Sequence, residues 1–282
     1  MRTKIVFSEK CLEYGQLSHT ENSIRVEKAV QILRKKKYEF VEPKPCEDKD
    51  LMLVHDPGYV EMVKKGDVGD IDSPAMADIY EYAKLAVGGA ILASKTGGFS
   101  LMRPPGHHAG IKGTALRVLT RGFCYFNNIA IAVRKTGKPT LILDIDGHHG
   151  NGTEEIFLGD DKVTYLSLHR SNIYPGTGNE TRKNCINFPL GADCGNELYL
   201  ATLKNALSNL NLRKFDQVAV SSGFDTHDGD LASLGLTQSA YLEVGREIAR
   251  LDKPTFFVFE GGYNGENVAE DINELLKGFE KA

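Results

Sequence analysis

The sequence predicts an α/β fold with a doubly wound parallel sheet, and three observations support this prediction. Short, almost continuously apolar runs alternate with amphipathic helical stretches along the chain. Runs of this kind are typical of strands that are buried on both faces, as in parallel sheets covered by helices on both sides. No repeat, low-complexity tract or linker divides the 282 residues, so we predict one catalytic domain over residues 1–282.

The first half of the chain contains two predicted strands and three predicted helices. Apolar residues spaced three and four apart indicate the first helix. Ser73 and Pro74 suit the start of a second, long helix, since Ser caps a helix and Pro fits its first turn, and Gly97 with Gly98 suits its end. The predicted strands cover 5–7 and 100–102, and the predicted helices cover 23–37, 73–95 and 127–135.

The second half follows the same alternation. Four apolar runs predict strands at 140–145, 163–168, 218–221 and 255–259, and amphipathic stretches predict helices at 197–212 and 238–251. Ligands of open parallel sheets bind beyond the carboxyl ends of the strands. Residues that carry chemistry should therefore follow these apolar runs.

Composition excludes several classes of protein. Apolar residues make up 41% and charged residues 26%, which rules out a disordered or collagen-like chain. The net charge of −4 argues against a nucleic-acid partner, and the basic run at 34–37 suits the last turn of a helix. Five cysteines without a C-x-x-C pair favour a reducing compartment over a disulfide framework. No apolar run is long enough for a secretory signal or a membrane span, so we expect no membrane partner and a cytoplasmic location.

The densest polar cluster follows the predicted strand at 140–145. Asp144, Asp146 and His148 are spaced by two, so they point to one side while the chain stays extended. A carboxylate and an imidazole suit a borderline cation such as zinc. The alternative is a capping Asp with loop histidines, but two buried carboxylates need a cation or an equivalent partner.

Three further clusters also follow predicted strands. His107 and His108 come after a rigid Pro-Pro-Gly, and adjacent imidazoles suit proton transfer near neutral pH. Asp225 and Tyr263 follow the last two strands. Each cluster alone has a structural explanation, as a surface loop, a helix cap or a turn. Together they predict a metal held by Asp146, His148 and Asp225, with the open coordination position of a catalytic site. We therefore predict amide hydrolysis by a metal-activated water, with a His base and Tyr263 as oxyanion donor.

The motifs RPPGHHA, GFCYFNN, LDIDGHHGNGTE, SLHR, YPGTG, GFD and EGGY occur in this order. From Ile5 to about Leu276 the chain resembles the histone deacetylase superfamily, which includes acetylpolyamine amidohydrolases and acetoin-utilisation proteins. The resemblance implies the arginase/deacetylase fold, with a parallel eight-stranded sheet between helices. It also implies deacetylation of acetyl-lysine or a related acetylated amine, with Zn2+ or Fe2+ as the catalytic metal.

Matching the motifs residue by residue implies roles around the reaction. His108 matches the general base, His107 the second active-site histidine, Asp144 the acid partnered with His107, and Tyr263 the tyrosine that polarises the carbonyl. Asn151 stands where other members have either an acid or Asn. The resemblance assigns the metal to Asp146, His148 and Asp225, and the substrate to Asp72, Gly122, Phe123 and Tyr174.

The family also binds monovalent cations, K+ or Na+. The resemblance implies a site close to the reaction centre and a second, more distant one. The near site would use Asp144, Asp146, His148, Ser167 and Leu168, and the distant site Phe157, Asp160 and Val163.

The chain departs from the family pattern in two places. The segment at 109–121 is longer than in most relatives, so it is a lid, a subunit contact or a plain surface insertion. Polyamine-selective relatives carry an acid shortly after the last metal ligand, near the position where this chain has Ala232. This departure weakens the acetylpolyamine interpretation without excluding it.

Two other functions compete with the deacylase. A manganese ureohydrolase of the same fold would need two metals and more bridging carboxylates, and it would leave Tyr263 without a task. An inactive reader of acyl-lysine would not need intact metal ligands. Within the deacylase interpretation, acetyl-lysine, acetylpolyamine, a longer acyl chain and other small amides stay open, as do the oligomeric state and the choice between zinc and iron.

Overall fold

A parallel sheet of eight strands organises this computed structural model, which describes residues 2–73, 75–76 and 78–281. The strands are β1 (Ile5–Val6), β2 (Phe40–Val41), β3 (Phe99–Ser100), β4 (Thr140–Asp144), β5 (Val163–Arg170), β6 (Cys185–Leu190), β7 (Gln217–Ser222) and β8 (Thr255–Phe259). Their order across the sheet is β2-β1-β3-β8-β7-β4-β5-β6, and all neighbouring pairs are parallel. The predicted eight-stranded α/β architecture is confirmed.

Helices cover both faces of the sheet because successive strand residues point to opposite sides. Leu141 and Leu143 of β4 join one buried cluster and Ile142 joins the other. The first cluster is covered by α1 (Ile24–Lys35), α7 (Gly195–Ser208), α8 (Gln238–Ala249) and α9 (Gly265–Lys281). The second is covered by α2 (Asp48–Leu51), α3 (Pro57–Lys65), α4 (Ile79–Thr96), α5 (Asn128–Thr136) and α6 (Asn151–Phe157).

The long fourth helix begins later than predicted. It starts at Ile79 rather than at Ser73, and Pro74 lies outside the described residues. One carboxylate oxygen of Asp70 accepts hydrogen bonds from the backbone N–H groups of Asp72 and Ser73, at 2.9 and 2.7 Å. This turn holds residues 70–73 in a non-helical conformation, so Ser73 does not cap the helix.

Several elements were not predicted from hydropathy. They are β2, α2, α3, α6, β6 and α9. The edge strand β6 carries Pro189, which interrupts the usual strand pattern and is tolerated because an edge strand has one unpaired side. None of the helices in the described ranges has the length and apolar character needed to cross a bilayer.

The sheet topology brings the predicted clusters to one edge. In register, Asp144 at the end of β4 pairs with Ser167 of β5 and with Ser221 of β7, and Ser221 pairs with Val258 of β8. The loops after β3, β4, β7 and β8 therefore start from the same edge of the sheet.

Candidate active site

Three predicted metal ligands converge at this edge. The ligating atoms of Asp146, His148 and Asp225 all lie within 4.8 Å of one another. His148 Nδ1 is 2.7 Å from Asp225 Oδ2 and 3.4 Å from Asp146 Oδ1. Backbone N–H groups fix the remaining carboxylate oxygens, since Gly261 donates to Asp146 at 2.6 Å and Gly147 donates to Asp225 at 2.8 Å. One nitrogen and two oxygen donors in this arrangement suit Zn2+ or Fe2+.

The two adjacent histidines have different partners. His107 Nδ1 lies 3.2 Å from Asp144 Oδ2. The His107 and His108 rings are buried side by side, with their centroids 4.0 Å apart. His108 Nδ1 lies 2.8 Å from Asn151 Oδ1. An amide oxygen only accepts, so His108 donates from Nδ1 and keeps Nε2 free to take a proton. This tautomer is the one that a general base requires.

The site holds more buried negative charge than its own side chains balance. Asp144, Asp146, Asp225 and Glu260 are each 0% exposed. Within the described part of the chain, no Lys or Arg side chain hydrogen-bonds to any of these four carboxylates. Buried carboxylates that lack a Lys or Arg partner are costly, so the donor set fits a divalent cation.

The pKa shifts follow from this charge. Burial raises the pKa of Asp225 to about 6, and the neighbouring Asp146 adds to the effect. Burial alone would lower the pKa of His148, but Asp225 and Asp146 raise it to about 10. Protons therefore occupy this space when no cation does, and a bound cation must displace them.

The candidate base and its neighbour are shifted in opposite directions. Burial lowers the pKa of His108 well below its ordinary value, and the charges of His107 and His148 lower it further. Burial alone would lower the pKa of His107, but the carboxylates of Asp146 and Asp144 outweigh this effect and raise the pKa to about 10. His108 is thus the neutral imidazole of the pair and His107 the charged one.

Tyr263 lines the cavity of the site, and the guanidinium group of Arg25 lies against its ring. The guanidinium carbon of Arg25 lies 4.4 Å from the centre of the Tyr263 ring. Arg25 also donates to the backbone oxygen of Gly262 at 2.6 Å and to that of Glu260, so it anchors the loop that carries the tyrosine. Burial raises the pKa of Tyr263 well above its ordinary value despite Arg25, so the hydroxyl keeps its proton and can donate it.

Aromatic rings line a narrow cavity above the metal ligands. Its volume is about 210 Å³, and its lining is Asp72, His108, Gly122, Phe123, His148, Tyr174, Leu231 and Tyr263. Phe123 has a φ of 69°, a left-handed conformation that is rare for a bulky residue and typical of functional sites. A Cβ at Gly122 would lie 2.5 Å from the His108 ring, so glycine is required there.

The polyamine argument from Ala232 needs correction. Ala232 is fully buried and packs against Gly147, so its side chain does not reach the substrate. The preceding residue, Leu231, lines the cavity instead. The side chain of this loop that lines the cavity is therefore apolar rather than acidic.

The segment at 109–121 contacts the residue that orients the candidate base His108. The carboxylate of Glu155 accepts hydrogen bonds from the backbone N–H groups of Ile111 and Leu116, at 3.2 and 2.9 Å. The carbonyl of Ala115 accepts from Asn151 Nδ2 at 3.1 Å, and Asn151 in turn orients His108. The segment thus lies against the base as a support.

The residues that the resemblance assigns to the near monovalent cation lie together at the ends of β4 and β5. Asp144 Oδ1 accepts from the backbone of Asp146 at 3.1 Å, and Oδ2 accepts from the Tyr165 hydroxyl at 2.9 Å. Ser167 and Leu168 follow on the neighbouring strand, both fully buried. A monovalent cation here would balance Asp144, whose nearest charged partner is His107. The distant set of Phe157, Asp160 and Val163 lies at the end of α6 and the start of β5.

Three contributors were missed by sequence reasoning. Glu260 accepts from the backbone of Gly106 and His107 at 2.7 and 3.1 Å, which fixes the loop of the paired histidines. Arg25 and Leu231 were missed as well. Glu260 had a visible signal, because it directly follows β8, whereas nothing in the sequence places Arg25 beneath Tyr263.

Comparisons with known proteins point to one family. The model of the histone deacetylase domain matches residues 19–279. A probable deacetylase from Archaeoglobus fulgidus is 34% identical, across 97% of this chain and 84% of the relative. Acetylpolyamine amidohydrolase 1 from Pseudomonas aeruginosa is 36% identical, across 65% of this chain and 56% of the relative. The crystal structure of the HD domain of HDA15 superposes with a TM-score of 0.90 at 27% identity, covering 99% of this chain and 89% of that structure.

Proposed function

The chain belongs to the histone deacetylase family, and on that premise we propose that it hydrolyses the N-acyl bond of acetyl-lysine or a related acetylated amine with a bound Zn2+ or Fe2+. A deacetylase-type hydrolase follows from the family. The convergence of Asp146, His148 and Asp225 beneath a narrow aromatic cavity is the observation that carries the metal-dependent mechanism. We also propose a cytoplasmic location, on the cysteine usage alone.

Each residue of the site has a task in this reaction. A divalent cation on the three ligands would acidify a water molecule and polarise the acyl carbonyl. His108 Nε2 takes the proton of the attacking water as the oxygen bonds to the acyl carbon. The Tyr263 hydroxyl donates a hydrogen bond to the developing oxyanion. When the C–N bond breaks, the amine receives a proton from the paired histidines and the carboxylic acid leaves.

The competing functions have less support. A ureohydrolase needs a second metal, but the described residues contain one candidate group of three metal-ligating side chains. A protein that only binds acyl-lysine would have no use for a buried histidine whose Nε2 is left to take a proton. Zinc and iron both suit the donor set, so metal identity is part of the test.

The experiment is turnover by protein that is stripped of metal and reloaded with Zn2+, Fe2+ or Mn2+. The substrates are acetyl-lysine peptides, N-acetylputrescine and small acetamides, and the readout is release of free amine. We expect hydrolysis with Zn2+ or Fe2+ and its loss in Asp225→Asn, together with the bound metal. Unchanged metal content and activity in Asp225→Asn would reject the assignment.

A further inference from the structure

The most exposed large apolar side chains of the described residues belong to segments that line or adjoin the candidate active site. Ile71, Leu119 and Leu17 are 89%, 88% and 71% exposed, more than any other large apolar residue described. Leu231, 52% exposed, lines the cavity directly. Exposed apolar groups of this kind mark interaction sites, so we call these four residues the apolar rim.

The other three members of the apolar rim are next in sequence to residues at or near the cavity. Ile71 precedes Asp72, which lines the cavity, and Leu119 precedes Thr120, whose hydroxyl lies 3.3 Å from the hydroxyl of the cavity residue Tyr174. Leu17 follows Gln16, which lines a second cavity of about 250 Å³. The two cavities share Asp72 and Phe123.

The charge around the rim is low. Asp70 pairs with Arg121 at 2.9 Å, and Asp230 accepts from the backbone N–H groups of Tyr263 and Asn264. Asp72 is the acidic residue that lines the cavity, and its carboxylate forms no ion pair with another described residue. One such acid is a poor match for a polyamine with several cations, whereas an apolar rim matches apolar side chains.

We propose that the apolar rim binds apolar side chains on either side of an acylated lysine, so that the chain prefers peptide substrates whose neighbouring residues are apolar. This proposal rests on the proposed deacylase function and adds a preference for the sequence around the acylated lysine.

The test compares acetyl-lysine peptides flanked by leucine, glycine or aspartate. Partial burial of the leucine side chains should raise kcat/KM about tenfold over the glycine peptide. The double variant Ile71→Ser/Leu119→Ser should bring this ratio close to one. The matched control Leu198→Ser changes an exposed leucine of α7, outside both cavities, and should keep the ratio.

Several results would overturn the rim assignment. Equal hydrolysis of leucine and glycine peptides, or faster hydrolysis of N-acetylputrescine than of every peptide, rejects it and leaves the deacylase function intact. A dimer at assay concentration that the double variant dissociates assigns the rim to a second copy instead. No hydrolysis of any acylated amine rejects the proposed function and the rim assignment with it.

A separate observation concerns the distant monovalent cation site. Asn184 Nδ2 donates to the carbonyl oxygens of Phe157 and Val163, at 2.7 and 2.8 Å. Its Oδ1 accepts from the backbone N–H of Gly159 at 2.6 Å. Only this orientation of the amide satisfies a donor on one side and two acceptors on the other, so its nitrogen position is determined by the backbone.

Phe157 and Val163 are two of the three residues that the resemblance assigns to the distant cation, and because their side chains are hydrocarbon they could offer it only these carbonyl oxygens. An amide nitrogen in contact with both leaves no room for an ion that must also contact both. Arg134 adds positive charge nearby, through an ion pair with Asp160 and a hydrogen bond to the carbonyl of Ile156 at 3.3 Å. The residues present therefore do not fit the second cation.

We infer that the Asn184 amide replaces the second monovalent cation and that the chain binds such an ion only at the near site. In crystals soaked with Tl+, we expect anomalous density beside Asp144 and Ser167 and none between Phe157 and Val163. A peak between those two carbonyls in the unmodified protein would overturn the inference, whatever the variants do.

A solution test uses the melting temperature as K+ replaces tetramethylammonium at constant ionic strength. Asn184→Ala opens the carbonyls, so it should melt lower than the unmodified protein and regain part of that loss as K+ rises. Asn179→Ala, which removes an exposed amide bonded to Gly176, is the matched control and should show the K+ response of the unmodified protein. An Asn184→Ala response identical to the control would contradict the replacement.

Discussion

The hydrogen bond between His108 and Asn151 fixes the tautomer and orientation of the candidate base. Asn151 is uncharged, so it orients the ring without stabilising the imidazolium as an anion would. The low pKa of His108 follows from burial and from the charges of His107 and His148. The base should therefore stay neutral, and active, below the usual titration range of histidine.

Asn151→Asp should move the acidic limb of the kcat/KM profile to higher pH, by about one unit or more. An anion beside Nδ1 favours the protonated ring, so the neutral base is lost at a higher pH. The measurement is the pH profile with one acetyl-lysine peptide, with the exposed Asn179→Asp as control. A shift to lower pH would contradict the role of His108 as base.

Tyr263→Phe should lower kcat about 100- to 1,000-fold and leave affinity for the acetylated ligand nearly unchanged. The hydroxyl acts on the oxyanion that forms as water attacks, while the ring keeps its contacts with Phe123 and Arg25. Steady-state kinetics, calorimetry of ligand binding and metal analysis measure the three quantities. Equal, very slow turnover by both proteins would favour a reader.

At the scale of the elements, strand ends place the ligands and glycines let them meet. Gly223 follows β7, and a Cβ there would overlap the carboxylate and backbone of Asp146. Gly261 follows β8 and donates to the same carboxylate. Two parallel strands can therefore bring Asp146 and Asp225 together only if small residues stand beside them.

Gly223→Ala should weaken metal binding about 10- to 100-fold, as expected when the support of a ligand is displaced. Competition with a chromogenic chelator measures the affinity, and circular dichroism checks the fold. Gly58→Ala, in the first turn of α3, is the matched control and should bind metal normally. Unchanged affinity in Gly223→Ala would show that Asp146 is not held at this contact.

At the scale of the whole molecule, stability should depend on the metal and on pH together. Without a cation, burial raises the pKa of Glu260 from 4.5 to about 7, and nearby carboxylates raise that of His148 from 6.5 to about 10. At these two groups the folded state binds more protons than the unfolded state, Glu260 between about pH 4.5 and 7 and His148 between about pH 6.5 and 10. The stability that they contribute to the metal-free protein should therefore be lost as pH rises through these windows.

Metal binding should reverse this trend, since a cation displaces protons from its ligands. At 1,000 times its dissociation constant, a metal stabilises the fold by about 4.1 kcal/mol, which corresponds to a Tm increase on the order of 10 °C. We expect the Tm difference between Zn2+-loaded and chelator-treated protein to grow from pH 6 to pH 8. A difference that is absent or shrinks over this range would contradict a metal at the buried carboxylates.

Sequence patterns were sufficient for the central strands and for the polar residues after them. Buried parallel strands such as β4 and β8 must be apolar along their length, so hydropathy locates them. The rule that ligands bind beyond strand ends then selects Asp146, His148, Asp225 and Tyr263. The same patterns could not find α6 or the late start of α4, because their ends depend on hydrogen bonds made by Asp70 and by loops.

Only the folded chain decided which residues meet across long sequence separations. Arg25 lies beneath Tyr263, Ala115 supports Asn151, and Asn184 holds the carbonyls of Phe157 and Val163. None of these contacts follows from local periodicity, because each joins segments that the sheet order brings together. The structure also decided that Leu231 lines the cavity while Ala232 is buried. Side-chain direction in a loop depends on the backbone around it, which no repeat in the sequence encodes.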